Sequence, residues 1–318
     1  MKSQLIAKLI ALFFVLGATQ MLFAYWTGYK DEPSTVRELK AALADNARVL
    51  YLGDSTLYRG DPTESDQRTL PRMLGDALPD HRVAGIYHDA YHLELLEHFC
   101  RYATLSESKP EVIIFPINMR SFSDERVKRP EYQFVRETLF LKNSGTLFAS
   151  FYRPLAVFKI FDLEPITQEE YLDLAAYDGA ERLASFREIR SMPYEKVLPM
   201  YLRVCYRYQL SEEHPHVQAL GRIAEMCRDA GITLIPYSTP TDYQRGDAII
   251  GTDFSEGIRA NLDVIESVLK KYDVDLLNLT FAFEKESFAH DEYPDAYIRS
   301  AEKLYVAQQL EDIIRGVD

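Results

Sequence analysis

A run of strand-forming residues, Val49-Leu50-Tyr51-Leu52, stops abruptly at Gly53 and is followed by Asp54-Ser55-Thr56. A short apolar run bounded by glycine reads as a buried strand entering a tight turn. Two further runs of this kind follow, Val83-Ala84-Gly85-Ile86 and Val112 to Pro116. Between them the apolar spacing is helical: Leu70, Met73, Leu74 and Leu78 in one segment, Leu93, Leu96 and Phe99 in the next. Strands that alternate with helices predict parallel strands joined by crossover helices. This alternation is the tightest constraint on the fold. It also places Ser55 just beyond the carboxyl end of a strand, where ligands and chemistry gather in open α/β sheets.

Over 121–210 the rhythm lapses. Tyr, Phe and Arg are frequent there, and Pro130, Pro154, Pro165, Pro193 and Pro199 interrupt the segment. It reads as a mostly helical insertion that covers the site, with aromatics forming its own core rather than a ligand platform. The alternation then resumes. A helix over 216–230 carries Val217, Leu220, Ile223, Ala224 and Cys227 on one face and ends at Gly231, in the position glycine favours past a helix terminus. A strand over 232–237, a helix over 258–272, a strand over 274–279 and a closing helix over 300–315 complete the chain. Upstream, Thr35 with Glu38 three residues on forms a capping-box pattern ahead of Leu39 and Leu43. The expectation is one α/β domain over 31–318, built on a parallel sheet of about five strands.

Residues 1–30 differ in kind. Lys2 and Lys8 precede an uncharged run from Leu9 to Tyr29, and about 20 apolar residues suffice for a helix to cross a bilayer. Trp26 and Tyr29 fall where interfacial aromatics sit, and the two leading lysines favour a cytoplasmic N-terminus with the following domain outside. A cleaved signal peptide is the other reading; Leu22-Phe23-Ala24 is a poor cleavage site, which favours an uncleaved transmembrane anchor. The net charge of −13 argues against nucleic acid as a partner and against broad adhesion to anionic lipid. Cys100, Cys205 and Cys227 show no CxxC spacing, so no metal site is expected from them, and a buried thiol is expected at Cys227.

Gly53-Asp54-Ser55 after a buried strand resembles the first motif block of the SGNH/GDSL hydrolases, a family of serine esterases and acyl transferases. Asn118, just past the strand ending at Pro116, stands where that family places an asparagine whose amide donates to a tetrahedral oxyanion. The resemblance implies a flavodoxin-like three-layer sandwich, Ser55 as nucleophile, and neither cofactor nor metal. It implies an oxyanion pocket made by the Ser55 N–H, a second backbone N–H from Gly85 or Ala90, and Asn118. One such donor is worth roughly 3–4 kcal/mol in acyl transfer. The structural alternatives are a polar turn with Ser55 as a cap and an Asx turn closed by Asn118.

The resembled family takes its base, and the acid that orients it, from a DxxH block before the last helix. Here that region reads from His290 to Arg299, and counting back from the closing helix puts Tyr297 or Ile298 at the histidine's place. Neither is a base at neutral pH, tyrosine titrating near 10. Three readings stay open. His290 serves as base, oriented by Asp291 or Asp295; or the triad is broken and the domain binds without catalysing; or the base comes from elsewhere, such as His88 or His92. His88 and His92 are four apart but have no third ligand at recognisable spacing, so polar surface or caps are expected, and His214 and His216 flank Pro215 at a helix start as caps or exposed groups. The resulting expectation is an SGNH-like serine esterase or O-acyltransferase acting on cell-envelope polysaccharide or its acyl groups, served by a membrane-embedded acyl-donor protein. The alternative is an inactive SGNH-like domain that binds glycan or a membrane partner.

Overall fold

The computed structural model describes residues 2–27, 32–123, 128–129, 132–143, 148, 152, 194–289 and 297–317. Five strands, β1 Val49–Gly53, β2 Val83–Tyr87, β3 Val112–Ile117, β4 Thr233–Ser238 and β5 Leu277–Asn278, form one parallel sheet in the order β2-β1-β3-β4-β5. The register pairs Val49 with Val83 on one side and with Val112 on the other. The order 2-1-3-4-5 reverses between β1 and β3, and such a switch point opens a crevice at the carboxyl ends of the two strands.

Ten α-helices accompany the sheet among the described residues: α1 Lys2–Thr27, α2 Ser34–Ala44, α3 Leu70–Ala77, α4 Leu93–Thr104, α5 Val135–Lys142, α6 Tyr194–Tyr206, α7 Pro215–Ala230, α8 Tyr243–Ile250, α9 Asp253–Lys270 and α10 Ser300–Val317. Alternate strand residues divide between two cores, because successive side chains of a strand point to opposite faces. Leu50, Leu52, Ile113, Phe115 and Leu234 pack with the apolar faces of α2, α4, α7 and α9. Val49, Tyr51, Ile114, Ile235 and Tyr237 pack with those of α3 and α10. Every residue of β1 and β3 is buried, as expected for parallel strands covered on both sides, and this explains why they read as unbroken apolar runs.

Several boundaries differ from the expectation. The capping box does not form: Pro33 takes the N-cap position of α2, and the buried Thr35 hydroxyl instead shares a 2.6 Å hydrogen bond with Tyr91 Oη. A distant phenol has displaced a local cap. β5 spans two residues rather than six. The short helix α8, capped by the Asp242 side chain on Arg245 N, lies where no element was expected. Gly231 does terminate α7 with a left-handed φ of 70°.

Of the 121–210 insertion, the described parts are a 3-10 turn at Met119–Phe122 reaching into it, α5, α6 and a few isolated residues; the rest of the expected helical segment lies outside the described residues. Tyr201, Tyr206 and Tyr208 belong to the main core rather than to a separate one. At the N-terminus, Gln4–Leu22 within α1 has mean hydropathy 2.0 and no buried residue, so this helix is long and apolar enough to cross a membrane. Phe14, for instance, is 80% exposed.

Gly85 sits inside β2 opposite Tyr51, and a Cβ there would come within 2.7 Å of the Pro71 ring in α3. The glycine lets α3 approach the sheet edge. Gly85→Ala is expected to cost about 1–3 kcal/mol of stability from overpacking against a rigid ring. Urea unfolding of the full chain in detergent reads this, and an unchanged midpoint would contradict the packing account.

Candidate functional site

The carboxyl end of β1 needs a residue without a side chain. A Cβ on Gly53 would lie 2.7 Å from Leu57 and 3.0 Å from Pro116. The chain turns there into a short 3-10 helix, Ser55–Leu57, capped by Asp54. Asp54 Oδ1 accepts hydrogen bonds from Thr56 N at 2.9 Å and Thr56 Oγ1 at 2.7 Å, while Oδ2 accepts from Asn118 Nδ2 at 3.0 Å. Asn118 in turn caps the 3-10 turn Met119–Phe122 after β3, its Oδ1 accepting from Arg120 N at 3.3 Å. One buried carboxylate therefore joins the two turns that flank the switch point. Ser55 and Asn118, the residues singled out by motif, lie on these neighbouring turns, and both are buried.

Ser55 Oγ shares a 3.0 Å hydrogen bond with Tyr297 Oη. Among the described residues no imidazole or carboxylate bonds to that hydroxyl. Arg120, only 1% exposed, donates from Nη2 to Tyr297 Oη at 3.5 Å and from Nη1 to Tyr201 Oη at 3.3 Å. Its guanidinium lies 5.3 Å from the Tyr297 ring centre, and that of Arg59 lies 5.9 Å from the same ring. Both distances suit a cation over an aromatic face. Arg59 is held from the other side by Asp89 at 2.7 Å, and Tyr58 also donates to Asp89. Partial burial and the hydrogen bond to Asp89 push the Tyr58 phenol up to about 12, so it stays protonated at neutral pH. Lys303, buried in α10, donates to Tyr58 O at 3.4 Å, and burial pushes its ammonium down.

Helix α6 closes the site from the insertion side. Ser123 Oγ donates to Val204 O at 2.8 Å, and Tyr208 Oη donates to Met119 O. The turn that carries Asn118 and Arg120 is thus clamped by the segment around α6.

The remaining sequence expectations fall out as follows. Gly85 pairs with Tyr51 in mid-strand, while Gly53 at the end of β1 pairs with Tyr87. Gly85 is therefore set back from the carboxyl end of the sheet, and its missing side chain serves the contact with Pro71. Ala90, past that strand end, has the left-handed φ of 63° that glycine would take without strain. His290 and Asp295 lie outside the described residues. His88 is exposed, its ring nitrogen at 3.1 Å from Asp89 O. His92 borders a small pocket with Asp54 and Asn118; burial pushes its imidazole down to about 4, which makes it a poor proton acceptor at neutral pH. His214 does cap α7, accepting from His216 N at 3.2 Å.

Sequence reasoning missed Arg120, Arg59 and Tyr201. The signal available for Arg120 was its place two residues after the asparagine. Nothing local marks Arg59 or Tyr201, which reach the site from a loop and from the insertion.

Asp54→Ala would strip hydrogen-bond acceptors from Thr56 and Asn118 in a buried setting. Since a bond to a charged group is worth about 1.5–3 kcal/mol, a loss of about 3 kcal/mol is expected. Thermal unfolding checks this; a loss below about 1 kcal/mol would mean that Asp54 does not hold the two turns together. No protein-family model matches the chain, and no curated protein matches it.

Proposed function

We propose that the chain is an SGNH-like serine esterase or O-acyltransferase, tethered by α1 and acting on acyl groups of cell-envelope polysaccharide. Ser55 is the nucleophile. The observation that carries the reading is the Asp54–Asn118 hydrogen bond beside it. An amide nitrogen has two N–H groups; Asp54 takes one and fixes the plane of the amide, and the other is left to donate to the oxyanion. A donor held in place before the charge develops needs no reorganisation when the ester carbonyl is attacked. The Ser55 N–H is the second donor, and the segment after β2, with Ala90, is the source of a third. His290, oriented by Asp291 or Asp295, is the proton acceptor in this reading. In this reading α1 is an uncleaved anchor with the domain outside the cytoplasm, where a membrane-embedded acyl donor can hand over its group.

A second reading has its own observation. Tyr297 Oη stands 3.0 Å from Ser55 Oγ, close to where the resembled family puts its imidazole. A phenol there favours a domain that binds an acylated glycan or a membrane partner without turning it over.

One assay separates the two. Turnover of p-nitrophenyl acetate by the full chain is expected to fall at least about 100-fold in Ser55→Ala, and by about 100-fold in His290→Ala, the usual range for a general base. Tyr297→His, which installs an imidazole beside Ser55, is expected to rescue His290→Ala at least in part. Equal rates in the wild type and Ser55→Ala would sink the esterase reading and leave the binding domain. An unchanged rate in His290→Ala would remove that histidine as base.

A further inference from the structure

Helices α4 and α7 pack side by side. Their first turns bring together two histidines from distant parts of the chain. His92 is the N-cap residue of α4, yet its side chain makes no capping bond. Its Nε2 lies 3.3 Å from the carbonyl of Tyr132, while Nδ1 is buried with no partner. A carbonyl only accepts, so Nε2 carries the proton and the lone pair of the ring sits on Nδ1. His216, the second residue of α7, is 2% exposed, and its Nδ1 is also buried without a partner. An orphaned nitrogen in a buried ring costs about 1–3 kcal/mol, and two of them side by side call for a physical reason. The exposed carboxylate of Glu94, two residues after His92, completes the group: one ligating atom from each of the three residues lies within 4.8 Å of the others.

We propose that His92, Glu94 and His216 bind a single first-row divalent transition-metal ion, with Zn2+ the best match to two imidazoles and one carboxylate. Hard cations such as Mg2+ and Ca2+ prefer all-oxygen shells and fit this set poorly. The hydrogen bond from His92 Nε2 to a backbone carbonyl is the outer-shell contact that commonly orients a metal-bound histidine. Ligands about 2.1 Å from one ion are at most about 4.2 Å apart, so the group must close slightly on binding. Glu94, exposed at the start of α4, can supply that movement by exchanging its present contact for the ion. The three residues border a polar cavity of about 540 Å3, which leaves room for water or a small ligand in the remaining coordination positions.

Two features oppose a cation. The helix N-termini carry partial positive charge, which the Glu94 carboxylate offsets. Lys128 and Arg222 also line the cavity, but Arg222 is committed to Glu97, with contacts of 2.8 and 3.1 Å. A bound ion would join the starts of α4 and α7. It would also fix His216 against Phe122, whose ring stands edge-on at 6.2 Å and closes the turn bearing Asn118 and Arg120. The site stands independently of the acyl-transfer reading, since its readout is metal binding.

The test uses the untagged full chain in detergent, stripped with EDTA, dialysed and titrated calorimetrically with ZnCl2. One Zn2+ per chain is expected, with Mg2+ silent at the same concentration. Zinc at about 100 times its Kd should raise the unfolding midpoint by about 5 °C. Glu94→Gln, a surface change that preserves the fold, is expected to weaken binding at least about 10-fold, and His216→Ala to abolish it. The proposal is overturned if the folded, stripped wild type takes up no zinc at 100 μM in the titration (a concentration about 100 times a micromolar Kd), or if Glu94→Gln binds with unchanged affinity. Should His216→Ala fail to fold, as circular dichroism would show, Glu94→Gln and the wild-type stoichiometry decide the matter.

Discussion

The buried carboxylate of Asp54 is the contact on which the candidate site depends. A charge taken out of water must be met by donors, and here three are supplied from two separate turns: the backbone and hydroxyl of Thr56 and the amide of Asn118. The sheet order sets up this meeting. Because β1 and β3 are neighbours at the switch point, the chain leaves both strands at the same edge. Asp54 then fixes the distance between the segment that presents Ser55 and the segment that presents Asn118.

Around that link the rest of the site is assembled from afar. Tyr297 comes from just before the last helix, Tyr201 from the insertion, and Arg59 from the loop after β1. Arg120 joins the two phenols, its guanidinium donating to both while lying over the face of Tyr297. The arrangement puts positive charge and several hydroxyls next to Ser55 in a site with little access to water. Among the described residues the one side chain bonded to Ser55 Oγ is the Tyr297 phenol.

Much of the fold was legible because it rests on period. The runs at 49–53, 83–87, 112–117 and 233–238 are strands, and the apolar spacings between them are helices, within a few residues of the expected ends. The motif reading was partly legible too. It found Ser55 and Asn118, and counting back from α10 reached Tyr297. It could not foresee the packing at Gly85, since a glycine near a strand end looks the same whether it serves a ligand or borders, as here, the ring of Pro71. It passed over His92 and His216 as a pair because ligand spacing is a local signal, and these two meet only when α4 packs on α7.

The sequence by itself determined the α/β class, the apolar N-terminal helix and the turn that sets Ser55 just past a strand end. Each of these follows from the chemistry of residues within about one helical or strand length of one another. Tertiary structure alone decided the company Ser55 keeps, the displacement of the Thr35 cap by Tyr91, and the grouping of two buried imidazoles with Glu94. Those outcomes are contacts between residues far apart in the chain. Their distances are set by helix packing and strand order, which no local pattern records.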